Sequence, residues 1–175
     1  MFLETERLML RKWEENDFAD FCAYAMDEEM SRMIGRRILH TEEDARASFD
    51  WLKDKEERGY ALVLKGTGRV IGNLTIDSVQ ERLANLPELR GKRGVGMSFA
   101  ISRQYQRQGL MSEAVKAVVE ELFDCEGFEY IQCGYFSFNT ASAKLQEKLG
   151  FTHLITLPKP DDPEIITVEN VLWRK

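Results

Sequence analysis

The chain has 175 residues, of which 43% are hydrophobic and 31% are charged, and its formal net charge is −6. This length and composition are typical of one soluble globular domain with its own core. The acidic balance argues against a general nucleic-acid-binding protein, and no apolar run reaches the roughly 18 residues that a membrane-spanning helix needs.

The cysteines and the first residues indicate the cellular compartment. The three cysteines are odd in number and form no Cys-x-x-Cys pair, a pattern that indicates neither a disulfide framework nor a zinc site. The opening segment, MFLETERLMLRKW, is charged too early to be a secretory signal. We therefore predict a cytoplasmic protein with reduced thiols and no bound metal.

The first part of the chain predicts one strand followed by two helices. Residues 7–13 alternate like a strand, and helices are expected over 16–27 and 41–59, where apolar residues recur at spacings of three and four. The second helix begins at a favourable N-cap, Thr41. The apolar faces consist of Leu8 and Leu10 in the strand, Phe18, Phe21, Cys22 and Ala25 in the first helix, and Ala45, Phe49 and Leu52 in the second.

A β-hairpin and a long connection follow. The segments YALVLK and VIGNLTID flank KGTGR, whose two glycines favour a turn. Residues 78–93 connect this hairpin to the next strand, GVGMSFAIS, and long connections in compact domains are often functional. Between Glu88 and Arg107 the chain carries five basic residues against one acidic residue, a local charge of +4. That charge suits a small anionic ligand, or it belongs to a solvated basic loop.

A polar loop then runs into an amphipathic helix over residues 104–123, QYQRQGLMSEAVKAVVEELF. The helix is expected to begin between Gly109 and Ser112 and to end near Gly127. Its N-terminus presents unpaired N–H groups and the positive end of the helix dipole, which together can hold a phosphate. An ordinary junction between a loop and a helix has the same local pattern.

The last part of the chain predicts a strand, a short helix and a final hairpin. FEYIQCGYF has the composition of a strand, and residues 139–150 form a helix with Asn139 near its cap and Gly150 at its end. FTHLITL and EIITVENVLW flank the turn-rich segment PKPDDP. The complete order predicts a mixed α/β sheet with antiparallel hairpins and at least one crossover helix.

This order of elements, together with FAISRQYQRQGLMSEA and NTASAKLQEKLGF, resembles the GCN5-related N-acetyltransferase (GNAT) family. The opening TERLMLRKWEENDFADF is similar to the branch that acetylates ribosomal-protein N-termini and related amines. The resemblance implies a single N-acetyltransferase domain over 1–175. It also implies a mixed sheet of about seven strands with a splayed central pair, flanked by about four helices.

The resemblance further implies a coenzyme A site. The family's loop pattern is Gln or Arg, two variable residues, Gly, one variable residue, then Gly or Ala. By resemblance, main-chain N–H groups from Gln106 to Ser112 cradle the pyrophosphate of acetyl-CoA, and Gly109 allows close approach. The positions concerned are Gln106, Arg107, Gln108, Gly109, Leu110, Met111 and Ser112. Met111 departs from the pattern, although its flexible side chain fits if it turns toward the core.

Four other positions receive roles by the same resemblance. Phe99 and Ile101, on the preceding strand, would lie along the pantetheine arm, and their apolar side chains would equally suit the sheet core. Asn139 would contact the pantetheine or a nearby water, or only cap its helix. Ser142, one helical turn later, would protonate or hydrogen-bond the departing thiolate, or only occupy the first turn of that helix.

The implied chemistry is direct attack of an amine on acetyl-CoA, which requires no cysteine nucleophile. A main-chain N–H near Phe99 would stabilise the oxyanion. Asp77, Glu88 and Glu169 are candidates for the base, but each is more typical of a solvated surface carboxylate, and we assign none of them. His40 and His153 show neither dyad nor metal spacing.

The expected acceptor is a small amine or a protein N-terminus, and relatives often form homodimers. The alternative is a binding module that keeps coenzyme A affinity without turnover, which Met111 and the lack of an assigned base would both permit.

Overall fold

The computed structural model describes residues 2–54 and 59–175. The chain forms two compact units, one made of Met1–Thr75 and Phe99–Ala117 and the other of Ile76–Ser98 and Val118–Lys175. Within the described ranges, the strands are β1 (Leu3–Glu4), β2 (Leu8–Arg11), β3 (Gly59–Leu64), β4 (Arg69–Asp77), β5 (Gly94–Ile101), β6 (Tyr130–Phe136), β7 (Thr152–Lys159) and β8 (Asp162–Trp173). The α-helices are α1 (Phe18–Ala25), α2 (Glu28–Ile34), α3 (Glu42–Asp54), α4 (Glu81–Ala84), α5 (Leu110–Glu120) and α6 (Thr140–Lys148).

The first unit packs helices onto an antiparallel set of strands. β1 pairs with β2, β2 with β3, and β3 with β4, all antiparallel. Leu8 and Leu10 are buried in β2, as the alternation predicts. The core joins aromatic side chains of α1 and α3 to the strands, with Trp13 and Phe21 in edge-to-face contact at 5.8 Å between ring centroids. Burial of this apolar face explains why α1 and α3 form where the spacing predicts them.

The second unit combines one parallel and two antiparallel pairings. β5 pairs with β6 in parallel over Gly94–Gly96 and Tyr130–Gln132. β6 and β8 are antiparallel, as are β7 and β8. Its core contains Leu89, Tyr130 and Val171. The strand order is β1-β2-β3-β4-β5-β6-β8-β7 in one mixed sheet, which confirms the predicted fold class.

The structure corrects the predicted elements in two respects. It adds β1, α2 and α4, which are two, seven and four residues long and too short for a clear periodic pattern. The helix expected over 41–59 is described as far as Asp54, and Gly59 already belongs to β3. Residues 55–58 lie outside the described residues. In the described part of the chain, no helix has the length and apolar character needed to cross a membrane.

Candidate active site

The loop before α5 lies in the first unit and turns through two left-handed residues. Gly109 has φ = 79°, and Arg107 has φ = 60°, a conformation that costs a non-glycine residue energy. The side chains of Gln106 to Gly109 are exposed. The loop is therefore held in an unusual, open conformation at the position that the sequence predicts for an anion.

Most main-chain N–H groups of this loop have no acceptor within the chain. Gln106 N donates to Arg103 O at 3.2 Å, and Glu113 N donates to Gly109 O at 3.0 Å in the first helical bond of α5. Between them, the structure gives the N–H groups of residues 107–112 no partner among the described residues. Donors of this kind at a helix N-terminus are suited to an anion.

The departure at Met111 does not obstruct the loop surface. Leu110 and Met111 are buried, and Met111 is only 6% exposed. Ser112 is buried as well. The Met111 side chain therefore packs inside the first unit, and the exposed part of the turn is residues 106–109.

An ion pair that the sequence did not indicate anchors the loop. The Arg7 side chain donates from Nη1 to Gln108 O at 2.9 Å and from Nε to Glu113 Oε2 at 2.7 Å. The Thr5 hydroxyl and the Arg7 N–H also donate to Glu113 Oε1. Partial burial acts to raise the pKa of Glu113, but these hydrogen bonds and the Arg7 charge together lower it.

The end of β5 lies tightly against β4 in the same unit. Ser102 N donates to Ile71 O at 2.8 Å, and a Cβ at Gly72 would lie 2.2 Å from Ala100 O. Ala100 is buried in the core, whereas Phe99 and Ile101 on either side of it are half-buried. The residues predicted to lie along pantetheine are thus not the ones that fill this core.

In the second unit, Asn139 and Ser142 begin α6 and belong to one polar chain. Asn139 Oδ1 accepts from Ser142 N at 3.1 Å, which establishes its role as the helix cap. Ser142 Oγ accepts from Gln146 Nε2 at 3.1 Å, and Gln146 Oε1 accepts from Asn170 Nδ2 at 3.0 Å. The Ser142 hydroxyl hydrogen is not used in these bonds.

Glu169, which was expected to be solvated, is buried in β8 and is 4% exposed. Its Oε2 accepts from Gln132 Nε2 at 2.6 Å, and its Oε1 lies 3.5 Å from Arg82 Nη2. Burial raises the pKa of Glu169, while Arg82 and the hydrogen bonds from Thr167 and Gln132 act in the opposite direction. Of the other candidates, Glu88 is exposed and Asp77 is half-buried.

The basic residues between Glu88 and Arg107 differ in whether their charge already has a partner in the chain. Arg103 pairs with Glu29 at 2.7 Å in the first unit, and the Arg93 guanidinium lies over the Phe128 ring at 4.7 Å in the second. Arg107 is exposed, and no ion pair to it is found among residues 2–54 and 59–175. Its charge is therefore available at the loop itself.

Comparison with known proteins identifies the family. The sequence model of the Acetyltransferase (GNAT) domain matches residues 7–152 of this chain. The chain belongs to the GNAT family. It is accordingly an acetyltransferase. The matched residues include the loop before α5 and helix α6.

Relatives and solved structures agree with this assignment. The chain is 26% identical over 153 residues to p20 of Bacillus licheniformis, an uncharacterized N-acetyltransferase, covering 85% of this chain and 81% of p20. A GNAT acetyltransferase from Bacillus anthracis has a TM-score of 0.83 at 21% identity, with 99% and 98% of the two chains covered. Ribosomal-protein-S5-alanine acetyltransferase from Vibrio fischeri has a TM-score of 0.74 at 17% identity, with full coverage of both chains. At these structural identities the likeness establishes the GNAT fold alone.

Proposed function

We propose that this GNAT uses acetyl-CoA and transfers its acetyl group to a primary amine, either a small molecule or a protein N-terminus. The observation that carries the proposal is the turn before α5, which is exposed over residues 106–109 and whose N–H groups at residues 107–112 have no acceptor within the described chain. Six such donors beside the positive end of a helix suit a diphosphate.

The residues present fit acetyl-CoA at several positions. Main-chain N–H groups of the turn would hold the pyrophosphate, and the exposed Arg107 would add a positive charge. Gln106 would contribute less than the family pattern implies, because its N–H is already bonded to Arg103 O. By resemblance to the family, the main chain at Phe99 and Ile101 would hold the pantetheine arm, and Asn139 would contact that arm or a nearby water.

Acetyl-CoA supplies an activated acetyl thioester when bound. We assign Ser142 the role of donating its hydroxyl proton toward the departing sulfur, because its oxygen already accepts from Gln146 and its hydrogen is free of that bond. A main-chain N–H near Phe99 would stabilise the oxyanion.

Cysteine chemistry supports direct attack by the amine over an acyl-cysteine route. Burial raises the pKa of Cys133 and of Cys22, and a hydrogen bond with Glu121 raises the pKa of the exposed Cys125. A nucleophilic cysteine needs a lowered pKa to be a thiolate at neutral pH. The pKa of each of the three cysteines is instead raised, so none of them is suited to act as the nucleophile.

The first experiment measures acetyl-CoA binding by isothermal titration calorimetry. We expect Gly109→Ala to weaken binding at least about tenfold, because the added Cβ would stand among the donors of the turn. Gly68→Ala is the matched control: Gly68 has φ = 69° and Gly109 has φ = 79°, and neither has a neighbour that an added Cβ would strike. Equal binding by both variants would contradict the proposed phosphate site.

The second experiment tests turnover with acetyl-CoA and three acceptors. A peptide with an N-terminal alanine, spermidine and kanamycin represent the protein and small-molecule classes. The acetylated product is detected by mass spectrometry, because the exposed Cys125 would react with thiol reagents. Tight binding without any acetylated product would favour the catalytically silent module.

Several further expectations belong to the same proposal. We infer a cytoplasmic location from the three free cysteines, a homodimer from the resemblance, and no nucleic-acid partner from the net charge of −6. Sedimentation equilibrium at micromolar concentration tests the dimer. The mass of a monomer alone would contradict it.

A further inference from the structure

A buried carboxylate in the second unit has polar partners but no close cation among the described residues. Glu169 lies on β8 opposite Gly134 of β6. It accepts hydrogen bonds from Gln132 and Thr167, and it lies 3.5 Å from the partly exposed Arg82. Burying a carboxylate is costly unless close charges and hydrogen bonds compensate it. Among the described residues, the ion pair found for Glu169 is the one with Arg82, which is long at 3.5 Å and whose side chain is 31% exposed.

The strands make room for this carboxylate. A Cβ at Gly134 would lie 2.2 Å from Glu169 Oε2, so the carboxylate lies directly over the β6 main chain. A Cβ at Gly96 would lie 3.4 Å from Gln132 Oε1, which places the Gln132 amide beside β5 as well. A larger residue at position 134 would therefore displace the Glu169 carboxylate from this position.

The carboxylate also lies where the parallel pairing of β5 and β6 stops. The ladder covers Gly94–Gly96 and Tyr130–Gln132, although β6 continues as a strand to Phe136. Gln132, the last paired residue of β6, is the residue that donates to Glu169. Beyond this point the main-chain groups of β5 and β6 do not pair with each other in this ladder. Unpaired main-chain groups of a strand can bond a ligand that lies along it.

Adjacent residues of β8 serve the two faces of the sheet. Glu169 reaches Gln132 and Arg82, whereas Asn170, which points to the other face, reaches Ser142 through Gln146. A purely structural role would be filled at lower cost by an apolar residue of similar size. A buried carboxylate one residue before Asn170, which bonds the polar chain of the proposed proton donor on the other face, instead fits acid–base chemistry.

We propose that Glu169 is the general base that accepts the proton of the acceptor amine, an inference that rests on the function proposed above. As the nitrogen forms its bond to the acetyl carbon, an N–H bond breaks and its proton passes to a Glu169 oxygen, directly or through one water. The carbon–sulfur bond breaks with its electron pair on sulfur, and the sulfur takes a proton from Ser142 or water. Glu169 then returns its proton to solvent, so that amine and thioester become amide and thiol.

Steady-state kinetics of Glu169→Gln with the best of the three acceptors tests this role. We expect kcat/KM to fall at least about 100-fold, within the usual range for loss of a general base, and acetyl-CoA affinity to stay within about twofold. Glu164→Gln, an exposed carboxylate on the same strand, should leave both unchanged. Circular dichroism and the melting temperature report whether each variant is folded.

The pH profile of kcat/KM separates a base from a structural residue. The wild type should lose activity on acidification with an apparent pKa above the ordinary glutamate value, and Glu169→Gln should lack this acidic limb. The groups that face or adjoin Glu169 are Arg82 from α4, Gln132 and Cys133 from β6, and Thr167 from β8. Because Arg82 lowers the pKa of Glu169, Arg82→Gln should move the limb to higher pH.

Each outcome is decisive. An acidic limb that persists in Glu169→Gln, or kcat/KM within about tenfold of wild type, overturns the role of Glu169 while leaving the proposed function intact. Should Glu169→Gln not fold, an unmoved limb in Arg82→Gln overturns the inference instead. Failure of wild type to acetylate any of the three acceptors would contradict both proposals.

Discussion

At the level of single residues, Glu113 has a larger role than its position in the first turn of α5 suggests. An acid at this position is commonly explained by the helix dipole. Here it accepts hydrogen bonds from Thr5 and from the main chain and side chain of Arg7, which in turn bonds Gln108 O in the turn. The conformation of the proposed phosphate site thus depends on residues near the start of the chain.

We expect Glu113→Gln to lower the free energy of unfolding by about 1–2 kcal/mol at pH 7, the usual value for hydrogen bonds to a charged group that is partly exposed. Since the pKa of Glu113 is lowered in the fold, this contribution is present above the ordinary glutamate value and is lost as pH falls through the folded pKa. Urea unfolding at several pH values measures it. Glu120→Gln, an exposed acid on the same helix, is the control. A difference between wild type and Glu113→Gln that stays constant down to pH 3 would exclude this explanation.

At the level of elements, the close approach of β4 and β5 depends on Gly72. Its added Cβ would lie 2.2 Å from Ala100 O and 2.9 Å from Ile101 Cα, which are main-chain atoms that cannot rotate away. The strand that carries Phe99 and Ile101 is therefore positioned by a glycine on its neighbour.

Gly72→Ala should destabilise the protein by on the order of 3 kcal/mol, because the two strands must separate to accept the methyl group. Gly66→Ala, in the β3–β4 turn with no atom within 4 Å of the added Cβ, should change stability by less than about 0.5 kcal/mol. Guanidinium unfolding monitored by circular dichroism compares them. Equal midpoints for the two variants would show that β4 does not constrain β5 in this way.

At the level of the whole molecule, the chain passes repeatedly between its two units. β4, β5 and α5 each begin in one unit and end in the other, since the divisions fall after Thr75, Ser98 and Ala117. Continuous hydrogen-bonded elements couple the stability of the segments they join. The single domain over 1–175 stays a prediction that unfolding experiments can test.

We therefore expect one cooperative unfolding transition, with equal calorimetric and van't Hoff enthalpies. Gly72→Ala is a change in the first unit. It should shift the unfolding midpoint measured by the fluorescence of Trp173, in the second unit, by the same amount as the midpoint measured by far-ultraviolet circular dichroism. The Trp173 signal can be isolated in a Trp13→Phe, Trp51→Phe background. Two transitions, with only one displaced by Gly72→Ala, would show that the units unfold independently.

The amino-acid sequence by itself determined the features that depend on neighbouring residues. The amphipathic faces of α1, α3 and α5, the hairpin turns and the Asn139 cap all follow from patterns within about a dozen residues. The family assignment depended on the same local motifs, and the match over residues 7–152 confirmed it.

Only the tertiary structure decided the features that join distant residues. Arg7 and Glu113 are 106 positions apart, and Gln132 and Glu169 are 37 apart. In a sequence, a charged residue is most simply interpreted as exposed, so Glu169 was expected in solvent although the fold encloses it. Burial, pairing and pKa depend on which side chains the fold brings together, and no periodicity in one segment contains that information.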